Sequence, residues 1–138
     1  MGNWAGPFAL VGLVSEADDL QARTDAFADL SIRLVQGLPD THLVRRIAGQ
    51  YQDSSTSVGA NYRAARRAKS HADFTYKIGI VSEEADECIY WLKRMMNANI
   101  RSTTASVECL LNKAEQLARI FGASHRTALR RRKRRGND

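Results

Sequence analysis

Apolar residues recur at every third or fourth position in four successive segments, and this spacing constrains the fold more than any other feature of the sequence. The segments cover residues 19–38, 41–69, 71–99 and 107–124. A period of about 3.6 residues places the apolar side chains on one face of an α-helix, whereas a half-buried strand requires alternation. Both prolines, Pro7 and Pro39, lie outside the segments. Because the connections are short, the sequence predicts an all-α protein, an antiparallel up-down-up-down four-helix bundle.

The breaks between the segments carry residues that begin helices. Asp40 or Thr41 is predicted to cap the second helix, and Ser70 the third, since their side-chain oxygens can accept hydrogen bonds from amides of the first turn. Within the second segment, residues 54–60 are small and mostly polar. Gly59 is costly inside a helix, by about 1 kcal/mol relative to alanine. We therefore expect a neighbouring helix to pack closely against this stretch.

The positive charge of the chain is concentrated at the C-terminus. Residues 126–138 contain seven of the 21 cations and one of the 15 anions, so the rest of the chain carries 14 of each. The seven cations are Arg126, Arg130, Arg131, Arg132, Lys133, Arg134 and Arg135. A block of like charge repels itself and usually forms a frayed or disordered tail. We divide the chain into an N-terminal arm at 1–18, a bundle at 19–124 and a basic tail at 125–138.

Six consecutive cations favour a phosphate-rich partner, because two or three would satisfy the dipole of a helix end. Nucleic acid is the preferred partner, and a solvated tail or an anionic membrane surface are the alternatives. A second basic surface is predicted on the second helix. Arg63 and Arg67 lie on the face opposite the apolar stripe and Arg66 on its flank, where they either contact phosphates or form a solvated face.

The third helix carries a second apolar seam away from its main stripe. Ile80 and Trp91 are three turns apart, with Glu84 and Glu87 beside them. We predict that these four residues form a contact between subunits, because an exposed tryptophan and isoleucine aligned along a helix are typical of an interface. The carboxylates would pair with arginines of the neighbouring subunit.

The sequence contains no set of groups that indicates catalysis, a metal or a cofactor. None of the three histidines follows a glutamate by three positions, as the ligands of di-iron bundles do. The acidic run at residues 83–87 spreads around the helix. There is no phosphate-binding glycine motif. Cys88 and Cys109 lack a CxxC partner and lie on apolar stripes, so both are predicted to be buried thiols in a reducing cytoplasm. We expect no enzymatic activity, no metal and no cofactor.

Three ordered pieces of the sequence resemble a known family. They are "RTDAFADLSIRLVQGLP", "SSTSVGANYRAARRAKSHADFTYKIGIVSEEADECIYWLKRM" and "LLNKAEQLARIFGAS". They resemble the four-helix bundle proteins encoded by intervening sequences of bacterial large-subunit ribosomal RNA genes, over about residues 20–128. The most specific part is SVGANYR at Ser57–Arg63. The resemblance implies a bundle that assembles into a ring-like homopentamer with a basic surface and no established enzymatic activity.

Related bundle proteins accompany diversity-generating retroelements and bind nucleic acid and a reverse transcriptase. The acidic helix of the family corresponds to Glu83, Glu84 and Glu87 here. Just before SVGAN the family usually has a basic residue, but this sequence has Asp53 there. The acidic residue argues against the face of the second helix that contains Asp53 as the nucleic-acid site. The positive charge of the arginine-rich extension after Ser124 can compensate for the missing basic residue at position 53.

We therefore expect a cytoplasmic, homo-oligomeric bundle that binds RNA or DNA backbone electrostatically through its basic tails. The alternative is a protein-interaction scaffold or accessory subunit, for example of a reverse transcriptase or another polymerase, with no direct role in nucleic-acid binding. The N-terminal apolar run at residues 8–14 lacks preceding basic residues and is too short for a membrane span, which needs about 20 residues. We expect no signal peptide and no membrane partner.

Overall fold

The computed structural model describes residues 13–136, and all of its regular structure is helical in this range. The helices are α1 (Leu13–Gln36), α2 (His42–Arg66), α3 (His71–Asn97) and α4 (Val107–Gly136). The four predicted helices are thus confirmed. Two of them are longer than the sequence indicated, since α1 already includes residues 13–18 and α4 continues through 125–136. The rest of the predicted arm and the last two residues lie outside the described residues.

The helix starts agree with the predicted caps. The Oγ1 atom of Thr41 accepts a hydrogen bond from the Val44 amide at 3.2 Å, and Ser70 Oγ accepts one from the Asp73 amide at 3.1 Å. At the start of α4, Ser106 Oγ accepts a hydrogen bond from the amide of Cys109, also at 3.1 Å. Each hydroxyl satisfies one of the amides that the first turn of a helix leaves without an internal partner.

The core follows a repeat of seven residues rather than the 3.6-residue period of an isolated helix. A buried seam alternates steps of three and four along α2 and α3, through positions 44, 48, 51, 55, 58, 62 and 65, then 74, 78, 81, 85, 88, 92 and 95. The other buried residues of these helices, at positions 54, 59, 75 and 79, each directly precede or follow a seam position. An ideal helix drifts by about 20° per heptad relative to such a seam. Helices that keep a seven-residue seam pack against one another with a slight left-handed supercoil.

The seven-residue repeat corrects the prediction of which residues are buried at two positions. A 3.6-residue period in the sequence places Leu43 and Met96 on the apolar stripes of the second and third helices, but Leu43 is 61% exposed and Met96 37% exposed. Their neighbours Val44 and Met95 are buried instead. Leu43 lies in the first turn of α2 and Met96 in the last turn of α3. The drift between a 3.6-residue and a 3.5-residue period is largest at such positions, because it accumulates over the several turns that separate them from the middle of the helix.

The small-residue stretch of α2 packs closely against α1, as predicted. A Cβ atom added to Gly59 would lie 3.2 Å from Thr24 Oγ1 and 3.3 Å from Asp25 Oδ1 of α1. The hydroxyls in this stretch bond back to carbonyls of the preceding turn, with Ser57 Oγ 2.6 Å from the Asp53 carbonyl oxygen. The lack of a side chain at Gly59 therefore has a structural use that offsets its cost within the helix.

Side-chain contacts fix which helix ends meet. Asp18 near the start of α1 pairs with Arg66 at the end of α2, with Oδ1 and the guanidinium nitrogen 2.7 Å apart. His71 at the start of α3 donates from Nε2 to the carbonyl oxygen of Ala128 in α4 at 2.9 Å. Because only residues 67–70 separate α2 from α3, the His71 contact places the α2–α3 connection at the same end of the bundle as the last third of α4.

The two cysteines differ in environment, which corrects the prediction that both are buried. Cys88 lies in the core between α2 and α3, where burial raises the pKa of its thiol to about 12. Cys109 is exposed in the first turns of α4, because the seam there runs through Val107 and Leu110.

We predict that one thiol per folded chain reacts rapidly with a disulfide reagent at pH 8, because only a thiolate attacks and Cys88 stays protonated and covered. Absorbance of the released thiolate measures the reaction. Cys109→Ser should abolish the fast phase and Cys88→Ser should leave it intact. Fast reaction of both thiols in the native protein would contradict this packing.

Candidate nucleic-acid interface

The cations predicted to bind nucleic acid lie in two places at the same end of the bundle. Arg63, Arg66 and Arg67 occupy the last turn of α2 and its C-cap. The remaining seven lie on α4 between residues 126 and 135. The His71–Ala128 hydrogen bond holds α4 next to the short α2–α3 connection. We call this part of the molecule, formed by residues 63–67 and 126–135, the basic end.

The arginines of α2 border an open cleft against α1. The cleft has a volume of about 600 Å³, and Gln21 and Asp25 of α1 line its other side. Arg63 and Arg67 are exposed, whereas Arg66 is half-buried and committed to its ion pair with Asp18. The structure therefore separates three residues that the sequence grouped together. Two of them can reach an external anion, and the charge of the third is compensated within the chain.

The cations of α4 are not compensated in this way. Within residues 13–136 the ion pairs shorter than 4.0 Å are Arg45–Asp40, Arg66–Asp18 and Lys77–Asp73, and none of them involves residues 126–135. The side chain of Arg130 makes a long contact of 3.4 Å with Thr127 Oγ1. Arg126 lines a shallow groove between α3 and α4 with Ile89, Glu115, Ala118 and Arg119.

The last eight residues of α4 project from the bundle. Ala128 is 2% exposed and is the last buried residue, and every residue from 129 to 136 is exposed. The charge block was expected to fray, but it continues the helix. Arginine and lysine are good helix formers, the helix is already nucleated by its packed portion, and cations at a C-terminus stabilise the helix dipole.

The predicted interface residues of α3 lie on one side of that helix, but the two apolar ones are less exposed than expected. Ile80 and Trp91 are both half-buried, and Trp91 packs against the edge of the core. Its indole Nε1 donates to Glu87 Oε1 at 3.3 Å. Burial raises the pKa of Glu84, and the nearby charges of Glu87, Glu83 and Asp53 raise it further.

An exposed aromatic next to this seam was missed in the sequence. Tyr90 is 51% exposed, and its ring meets that of Trp91 edge-on with centroids 4.9 Å apart. The Arg94 guanidinium carbon lies 5.0 Å from the centroid of the Tyr90 ring. The spacing of four residues between Tyr90 and Arg94 was the available signal, because such residues are neighbours on a helix surface.

The described part of the chain contains no group of three or more histidine, cysteine, aspartate or glutamate side chains arranged to hold a metal ion. In the same range, no helix combines the length and apolarity needed to cross a bilayer.

These features define a four-helix protein whose surplus of positive charge is concentrated at one end. The chain belongs to the 23S rRNA-intervening sequence protein family, whose sequence profile matches residues 19–123. A similar solved structure is the crystal structure of a protein of unknown function from the S23 ribosomal protein family of Bacteroides thetaiotaomicron VPI-5482. It is 27% identical with a TM-score of 0.65, and the match covers 77% of this chain and 97% of that one. A search of the curated proteins gave no significant match. The resemblance noted in the sequence is thus confirmed.

Proposed function

We propose that this protein is a non-enzymatic, homo-oligomeric helical bundle that binds the backbone of nucleic acids electrostatically through its basic end. The observation that carries the proposal is the set of cations on α4 between residues 126 and 135, none of which is paired with a described carboxylate. Arg63 and Arg67, on the rim of the α1–α2 cleft, add two further exposed cations at the same end.

The concentration of charge favours a polyanion over a small ligand. A protein that neutralises several phosphates releases the counterions condensed on the nucleic acid, and this release drives binding with little dependence on sequence. The α1–α2 cleft is less suited to hold a small anion by itself, because Asp25 on its wall and Asp18 beside Arg66 oppose the charge of the arginines. The cleft therefore contributes supplementary phosphate contacts.

The proposed assembly is an up-down-up-down bundle that forms a ring-like homopentamer. Two contacts support the antiparallel arrangement of α1 and α2, since Asp18 meets Arg66 whereas Ser31, further along α1, bonds to the earlier residue Tyr51 at 2.7 Å. The seam formed by Ile80, Glu84, Glu87 and Trp91 is the proposed subunit contact. A cation from a neighbouring subunit would stabilise the charged form of Glu84, which lies among other carboxylates.

Trp91→Glu should dissociate the oligomer, because it adds a fifth carboxylate to Asp53, Glu83, Glu84 and Glu87 at a position that the proposed contact covers. Light scattering coupled to size exclusion measures the mass. Leu43→Glu introduces the same charge at an exposed leucine of α2 and is the matched control, expected to keep the wild-type mass. A Trp91→Glu variant with an unchanged mass would remove this seam from the interface.

The second candidate function is a protein-interaction scaffold, such as an accessory subunit of a reverse transcriptase or another polymerase. The pair of adjacent aromatics Tyr90 and Trp91 on α3 favours it, since tyrosine, tryptophan and arginine are enriched at protein interfaces. This function would depend on the α3 surface, whereas nucleic-acid binding depends on the basic end.

Mobility-shift titrations of the full chain with labelled RNA and DNA, single-stranded and duplex, test the first candidate. Binding of unrelated sequences with similar affinity is the expected result. Failure to shift any of the probes at 50 mM salt would exclude nucleic-acid binding and leave the scaffold as the better account.

A further inference from the structure

The end of α4 is a free-standing helix rather than a chain segment lying on the protein surface. The bundle holds α4 as far as Ala128, which is buried and whose carbonyl accepts the hydrogen bond from His71. Residues 129–136, which we call the basic extension, remain helical and are exposed throughout. Eight residues at 1.5 Å each give the extension a length of about 12 Å beyond the bundle.

The cations of the basic extension surround the helix. Successive residues are rotated by about 100°, so the six cations at positions 130–135 fall at about 0, 100, 200, 300, 40 and 140°. The widest sector without a cation is about 100°. A helix that lies on a flat anionic surface, such as a bilayer, brings only the cations of one side into contact. The remaining charges would point into solvent and contribute little.

A groove with phosphates on both walls contacts the cations on two opposite sides of such a helix, more than a flat surface can. The major groove of B-form DNA is about 12 Å wide and admits an α-helix, whose diameter with side chains is about 10–12 Å. The major groove of A-form RNA is deep and narrow and excludes side chains of this kind. A single strand has no opposing wall. The distribution of charge around the extension therefore fits duplex DNA best.

The groove also relieves repulsion within the extension. Arg130 and Arg134, and likewise Arg131 and Arg135, are four residues apart and so lie next to each other on the helix surface. Like charges at this spacing destabilise a helix. Phosphates on both sides would neutralise both pairs and stabilise the helical form.

We propose that the basic extension, residues 129–136, binds as a helix in the major groove of B-form duplex DNA. This inference rests on the proposed binding of nucleic acids and names both the partner and the geometry. The groove is recognised by its width and its phosphates, so the contact is independent of base sequence.

Leu129→Pro in the full-length chain tests the geometry because it keeps every cation. Proline at this position removes an amide donor and clashes with the carbonyl four residues earlier, which interrupts the helix where it leaves the bundle. Leu129→Ala is the matched control, since it removes the same exposed side chain and preserves the helix. Fluorescence anisotropy with duplex DNA and with duplex RNA of the same sequence measures both affinities.

The expected result is at least tenfold tighter binding of duplex DNA than of duplex RNA. Leu129→Pro should lower the affinity for duplex DNA about tenfold and leave that for duplex RNA unchanged, and Leu129→Ala should behave as wild type. A second measurement needs no variant. A DNA duplex whose thymines carry bulky groups at C5, the atom that faces the major groove, should bind about tenfold more weakly.

Equal affinity for the two duplexes, or full affinity for the C5-modified duplex, would overturn the groove assignment while the proposed electrostatic binding stood. Full affinity of Leu129→Pro for duplex DNA would do the same, since a flexible basic segment would then suffice. Absence of binding to every probe would overturn both proposals together. Thermal unfolding of each variant shows whether the bundle itself is intact.

Discussion

Phe121→Ala should lower the free energy of unfolding by about 3–5 kcal/mol, the range for removing a large aromatic side chain from a packed core. Phe121 is 1% exposed, and its ring lies 5.1 Å from that of Tyr62, so the variant loses a cross-helix aromatic contact and leaves a cavity between α2 and α4. For a chain of this size the midpoint of thermal unfolding should fall by on the order of 10 °C.

Leu43→Ala is the control for this prediction. Leu43 lies on the apolar stripe that a 3.6-residue period gives for α2, yet it is exposed in the structure. Its replacement should change the free energy of unfolding by less than about 0.5 kcal/mol, as is usual for surface positions. Urea unfolding at a fixed protomer concentration measures both variants, since self-association would otherwise shift the midpoint. Equal losses in the two variants would contradict the assigned core.

Replacement of the six cations at residues 130–135 by glutamine should lower the affinity for nucleic acid on the order of a hundredfold at 100 mM salt. Each phosphate contact contributes about 0.9 to the slope of log affinity against log salt on a DNA duplex. Loss of most of these contacts should therefore leave only the shallow salt dependence that Arg63, Arg67 and Arg126 provide. Glutamine is a good helix former, so the variant removes the charge and keeps the helix.

Two variants with three substitutions each distinguish the effect of where the cations lie from the effect of the total charge. One replaces Arg130, Arg132 and Arg134 by glutamine, and the other replaces Arg45, Arg46 and Arg101, which lie outside the basic end. The net charge falls by the same amount in both. Binding should weaken strongly in the first variant and little in the second. Equal weakening would mean that nucleic acid responds to the overall charge of the molecule, not to the basic end.

The sequence was sufficient to predict the helices and their caps. The apolar spacing identified all four helices, and Thr41 and Ser70 act as the caps that their positions indicated. The sequence did not predict which residues of each apolar stripe are buried along the whole helix. A 3.6-residue period and a seven-residue repeat select the same residues over two turns but different residues over six. Val44 and Met95 are buried for this reason in place of Leu43 and Met96.

The arrangement of the candidate site could not be predicted from the sequence, because it depends on contacts between residues that are far apart in the chain. Arg66 differs from Arg63 and Arg67 because Asp18, 48 residues earlier in the chain, pairs with it. The helical state of the charged C-terminus also required the structure, since a run of cations is typical of disorder when considered alone. The packing of α4 up to Ala128 supplies the nucleated helix that the basic extension continues.

The most direct test of the account is the salt dependence of duplex DNA binding by the full-length protein between 50 and 200 mM salt. If the basic end neutralises about five phosphates, the slope of log affinity against log salt should be about −4.5, which corresponds to a loss of several hundred-fold over this range. A slope flatter than about −1, or no measurable binding at 50 mM salt, would contradict the assignment of the basic end as a nucleic-acid interface.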